Sequence, residues 1–121
     1  MAKGISNTSR TLSYIREQGW RAEKVEYWNP YSKTRKDLFG FIDIVAMGEG
    51  KIIAIQSCGS SFSAHDKKIR EDERCGPLAL NWMESGGRLI LIGWRKVKLK
   101  RGGKAMRWEP RVKEYSVDDL K

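Results

Sequence analysis

Residues 38–57 constrain this chain more than any other segment. Two apolar runs, Leu38 to Met47 and Lys51 to Ser57, meet across Gly48-Glu49-Gly50. Glycines flanking one residue between such runs predict two antiparallel strands joined by a tight turn. With the turn over Gly48 to Lys51, Met47 faces Ile52, and counting back along both strands sets Asp43 opposite Gln56. Opposed residues share a face of the sheet. Both stand among core-type residues, Asp43 between Ile42 and Ile44 and Gln56 after Ile52-Ile53-Ala54-Ile55. A buried carboxylate requires a partner. A divalent cation held by the carboxylate and an amide oxygen supplies one; a buried polar pair without an ion is the alternative.

The rest of the chain builds a sheet around this hairpin. Leu12 and Ile15 predict a helix over Ser9 to Gln18, stopped by Gly19. Trp20 to Trp28 reads as a strand broken by Asn29-Pro30, and Tyr31 to Asp37 as a polar, basic loop. A charged helix over Ala64 to Glu73 is interrupted at Gly76-Pro77. A second helix, Leu78 to Glu84, ends at Ser85-Gly86-Gly87. Arg88 to Trp94 is apolar at every second position on both faces, as expected of a central strand covered on both sides. Arg95 to Lys100, the turn Arg101-Gly102-Gly103-Lys104 and Ala105 to Tyr115 predict a final hairpin, with Val117 to Lys121 as a tail. The order predicts one α/β domain, a mixed sheet flanked by helices, over residues 1–121.

Charge narrows the partner. Lysine and arginine number 24 against 15 acids, a net +9, which favours a polyanion and nucleic acid first. From Arg95 to Arg107 the bases Arg95, Lys96, Lys98, Lys100, Arg101, Lys104 and Arg107 occur with no acid, between Trp94 and Trp108. Lys96, Lys98 and Lys100 alternate onto one strand face and can follow a phosphate backbone, with Trp108 stacking on a base. Lys33, Arg35 and Lys36 form the opposite wall of a groove. The competing readings are an edge strand protected by charge and a basic module that binds an acidic protein. No run approaches the roughly 20 apolar residues of a spanning helix, and the opening MAKGISNTSR lacks the apolar stretch of a signal peptide. A cytoplasmic protein with no membrane partner is expected. Cys58, Cys75 and His65 are too few for a structural zinc site; the cysteines read as packed thiols, with a disulfide the alternative. No nucleophile and base pair of the serine or cysteine hydrolase kind is visible.

An aspartate in an apolar strand, a short turn, and a second apolar strand that ends where an acid-x-lysine tripeptide belongs resembles the PD-(D/E)XK, or restriction-endonuclease-like, nuclease superfamily. Holliday-junction resolvases and small virus-encoded nucleases look nearest. The likeness runs from Thr8 to Arg95. It implies a magnesium- or manganese-dependent endonuclease, acting on DNA rather than RNA, working as a homodimer, and in the host cytoplasm if viral. Carried over, Asp43 is the metal aspartate, Gln56 stands at the second acid, Ser57 lends its carbonyl, and Cys58 stands where the lysine belongs. Lys67 or Lys68 on the next helix replaces that lysine, and His65 is a further proton acceptor. Glu26 substitutes for the acid missing from the first helix near Thr8 and Arg10. Asp37 alternates onto the Asp43 face, although its bland role is to start the strand or pair with Arg35 and Lys36. A relative that kept the fold and only binds nucleic acid is the alternative to an enzyme.

Overall fold

The computed structural model describes residues 6–99 and 101–121. Helix α1 (Asn7–Glu17) is capped by the Ser6 hydroxyl, which accepts from the Ser9 N–H at 3.1 Å. It ends in a Schellman turn: Gly19 at φ +94° donates to the Arg16 carbonyl, and the Trp20 N–H reaches the Ile15 carbonyl. The five-stranded sheet contains β1 (Arg21–Lys24), β4 (Ile44–Gly48), β5 (Lys51–Cys58), β6 (Arg88–Lys98) and β7 (Met106–Glu114). Its spatial order is β1-β4-β5-β6-β7, antiparallel except for the central β5–β6 pair. A separate hairpin is formed by β2 (Tyr27–Asn29) and β3 (Thr34–Lys36). Helices α2 (Phe62–Glu71) and α3 (Cys75–Glu84) supply the crossover that a parallel pair requires, and the short α4 (Val117–Leu120) closes the chain. The chain is thus a single α/β domain with a mixed sheet flanked by helices, as its pattern predicts.

Alternation along the strands divides the core in two. Ile44, Ala46, Ile53, Ile55, Ile90 and Ile92 pack under α1, while Ala54, Cys58, Leu89 and Leu91 face α2 and α3 through Phe62, Ile69 and Ala79. The Trp94 indole N–H, deep under α1, donates to the Thr11 hydroxyl at 2.8 Å, which donates in turn to the Asn7 carbonyl at 2.9 Å. Thr11→Val keeps the shape and strands the indole donor, at a cost of about 1–3 kcal/mol. The thermal midpoint falls by several degrees; a midpoint equal to the parent's contradicts this account of the bond.

The central hairpin has the predicted register, Met47 opposite Ile52 and Gly48 opposite Lys51. Its two-residue loop, Glu49 at φ +52° and Gly50 at φ +76°, is the type I′ turn that matches strand twist. Elsewhere tertiary context shifts the elements. The strand expected from Leu38 begins only at Ile44, because Phe39 and Gly40 take positive φ and fold residues 37–43 into a narrow loop. Leu38 and Ile42 exchange both backbone hydrogen bonds across it at 3.0 Å. The expected strand Trp20–Trp28 splits at Val25-Glu26, where the Val25 N–H is held by the Asp43 carbonyl at 2.8 Å. Part of the expected loop Tyr31–Asp37 is instead β3, since Asn29 accepts from the N–H groups of Tyr31 and Ser32 and turns the chain back. The helical break falls at residues 72–74 rather than Gly76-Pro77. There the Asp72 side chain accepts from the Arg74 and Cys75 N–H groups, and Pro77 lies in the first turn of α3, where its missing donor costs nothing. Both cysteines are free and buried, as packed thiols.

Candidate metal centre and nucleic-acid interface

Strand directions bring the polar groups to one end of the sheet. The carboxyl end of β1, the start of β4 and the carboxyl end of β5 coincide there, since Lys24 pairs with Ile44 and Ile44 with Ile55. The parallel β6 passes the same end where Gly93 pairs with Cys58. At this end Asp43 and Gln56 meet as the register requires: the Gln56 amide donates to Asp43 Oδ2 at 2.8 Å. The Ser57 N–H donates to the same oxygen at 2.9 Å, and the Ser57 hydroxyl lies 3.4 Å from it and 3.2 Å from that of Thr8. Asp43 and Gln56 are each 4% exposed.

Two more acids join them. The carboxylates of Glu26, Asp37 and Asp43 lie within 4.8 Å of one another. Glu26 arrives because the chain leaves the sheet at Val25, and Asp37 because the Phe39-Gly40 turn doubles the loop back on Asp43. Neither is a neighbour that alternation along a continuous strand would supply. The glycine inside the apolar run was the signal for the loop. Burial pushes the Asp43 carboxyl up to about 8; the Ser57 N–H opposes this, and Asp37 and Glu26 add to it. Arg35 and Lys24 approach Glu26 at 3.9 Å each, too far for a direct hydrogen bond.

The donor set suits a hard divalent cation. Three carboxylates crowd one position, and the Gln56 Oε1 is buried with no hydrogen-bond partner. The Gln56 amide turns its N–H to Asp43 and leaves its own oxygen unpartnered, and the three carboxylates are the hard oxygen ligands that could hold magnesium or manganese.

The other expected groups divide. Cys58 is buried on the α2/α3 side, and burial pushes its thiol up to about 11, so a neutral group stands at the lysine position. Lys67 is exposed on α2, whereas Lys68 donates to the Gly40 carbonyl at 3.1 Å, inside the loop joining Asp37 to Asp43. His65 Nδ1 lies 2.9 Å from the Ser61 carbonyl at the start of α2.

Two basic arms leave the same end of the sheet. One is the β2–β3 hairpin with Lys33, Arg35 and Lys36, all exposed. The other is the extension of β6 and β7, where Lys96 and Lys98 pair with Trp108 and Met106 and so share a face. Arg95, Arg101, Lys104 and Arg107 are exposed on this arm, and Lys100 lies outside the described residues. Glu109 draws Arg95 at 3.5 Å and Arg107 at 3.4 Å. Trp108 is partly engaged within the protein: the Arg10 guanidinium sits 3.9 Å from its ring centroid and the Lys96 ammonium 5.2 Å. Among the described residues no helix is long and apolar enough to cross a membrane. No protein-family model matches this chain, and no curated protein matches it in sequence.

Proposed function

We propose that the protein is a metal-dependent nuclease of the PD-(D/E)XK kind, hydrolysing DNA phosphodiester bonds with a preference for branched or otherwise structured substrates. The observation that carries this reading is the three-carboxylate cluster of Glu26, Asp37 and Asp43, with the buried Gln56 hydrogen-bonded to Asp43 and its own amide oxygen unpartnered. Glu26, Asp37, Asp43 and Gln56 would hold the ion, with the Ser57 backbone alongside. Magnesium or manganese, when bound, lowers the pKa of a water and offsets charge on the phosphate. The chain's own residues do the positioning. Ser57 and Gln56 fix Asp43 Oδ2 by hydrogen bonds. Lys68, anchored on Gly40, brings a cation to the loop in place of the lysine that Cys58 displaces. The two arms grip phosphates on either side through counterion release. On this reading the protein acts in the cytoplasm, as a dimer able to cut both strands.

The test is incubation of labelled duplex, single-stranded and four-way DNA with and without magnesium or manganese. Cleavage should require the metal and disappear in Asp43→Ala. A second reading, a binder that marks or blocks DNA without cutting, is favoured by the neutral Cys58; salt-sensitive binding with no cleavage in either metal establishes it instead.

A further inference from the structure

The β2–β3 hairpin is more than a basic arm. Its pairing sets Tyr27 opposite Lys36 and Trp28 opposite Arg35. One step further toward the base of the hairpin, Glu26 stands opposite Asp37, consistent with their proximity in the acidic cluster. Side chains alternate between faces along a strand. Glu26, Asp37, Trp28 and Arg35 therefore share one face, and the 3.9 Å approach of Arg35 to Glu26 agrees with this. Trp28 and Arg35 lie one same-face step outward from the two acids, about 7 Å along the strands.

Trp28 is 53% exposed, and among the described residues no aromatic ring or cation lies over it. A large apolar ring left open on a two-stranded projection contributes little to the core. Tyr31, at 96% exposure, adds open aromatic surface beyond β2, while Tyr27, at 62%, lies on the opposite face of the hairpin. The ten residues from Tyr27 to Lys36 carry three cations and no acid. Exposed rings interleaved with cations suit a chain of phosphates bearing unpaired bases, since every base offers a face for stacking. Trp108, to which the sequence assigns base stacking, already has Arg10 against its ring.

We infer that Trp28, supported by Arg35, is the stacking platform for an unpaired nucleobase, placing the neighbouring phosphate at the Glu26, Asp37 and Asp43 cluster. The inference rests on the nucleic-acid reading above and gives it a selectivity: single-stranded or branched segments are preferred over an intact duplex, whose bases are already stacked.

The test measures fluorescence anisotropy of a short labelled single strand and of the same sequence as a blunt duplex, in EDTA so that nothing is cut. Trp28→Ala should weaken single-strand binding by about 10- to 100-fold, while duplex binding changes less than about twofold. Trp28→Phe should restore most of the loss, and Arg35→Gln should lower the salt slope on the single strand by about 0.7. An unchanged single-strand affinity in Trp28→Ala, or equal losses on both DNAs, overturns the inference. Cleavage is read separately. Selective loss of single-strand affinity in a protein that cuts nothing supports the platform and removes the nuclease reading. Metal-dependent cutting with an unchanged Trp28→Ala affinity removes the platform alone.

Discussion

Asp43→Asn should melt several degrees above the parent at pH 8 without divalent metal, and magnesium or manganese should no longer raise its midpoint. In the parent the folded carboxyl titrates at about 8 instead of the ordinary 3.8, because burial and the two neighbouring acids disfavour its charge. The folded state then holds a proton that the unfolded chain releases, so this group makes stability fall as pH rises from about 4 to about 8. Asparagine removes that cost. Its amide oxygen still accepts from Gln56 and Ser57, and its amide N–H groups can donate to Glu26 or Asp37. The gain should be near zero at pH 4 and on the order of 2–4 kcal/mol at pH 8. The parent recovers the difference only by binding a cation, worth about 2.7 kcal/mol at a hundredfold excess over Kd. Thermal melts of both proteins over this pH range, with and without metal, decide the matter. Equal metal-free midpoints at pH 8 would mean that burial does not disfavour the Asp43 charge, and equal metal stabilisation of both proteins would remove Asp43 from any ion site.

Asp66 has the opposite sign. It accepts from the Tyr115 hydroxyl at 2.6 Å, Lys113 at 2.9 Å and Arg70 at 3.1 Å, tying α2 to the end of β7. Burial raises its carboxyl, but the three donors together prevail and hold it at about 2. The stability it adds is complete above about pH 4 and is lost as pH falls through about 2. Asp66→Ala also leaves the buried Tyr115 hydroxyl without its partner. The loss should be about 2–4 kcal/mol at neutral pH. Urea unfolding of parent and variant should show that gap closing between pH 4 and pH 2. A gap that stays constant to pH 2 means the carboxylate's charge contributes nothing to the fold.

The parts of the site visible in the amino-acid order are those fixed by local geometry. A two-residue turn between apolar runs admits one register, and that register brings Asp43 to Gln56. The alternation of Lys96 with Lys98, and the two-sided apolar character of Leu89 to Ile92, follow from the same period of two. The meeting of Glu26 and Asp37 is not written in local pattern, because their approach depends on two departures from regular strand. The chain leaves the sheet where Val25 is pinned by the Asp43 carbonyl, and residues 37–43 close on themselves through the positive φ of Phe39 and Gly40. Phe39 takes a conformation its type disfavours, so nothing in its identity announces the turn; only Gly40 does. The engagement of Trp108 by Arg10 joins residues from opposite ends of the chain, a contact no local pattern encodes. Asp66 resembled any charged residue on a solvated helix until Lys113 and Tyr115 arrived from the last strand.

The projection between Glu26 and Asp37 begins and ends at adjacent positions, so its length is independent of the chemistry at its root. Adding two residues to each strand carries the tip outward by about 7 Å while the carboxylates keep their places and Trp28 and Arg35 keep their face. One residue added to each strand would preserve the pairing but turn everything beyond it to the opposite surface. Reach can therefore drift across variants of this chain without altering the anchoring acids or the stacking face, provided each strand grows two residues at a time.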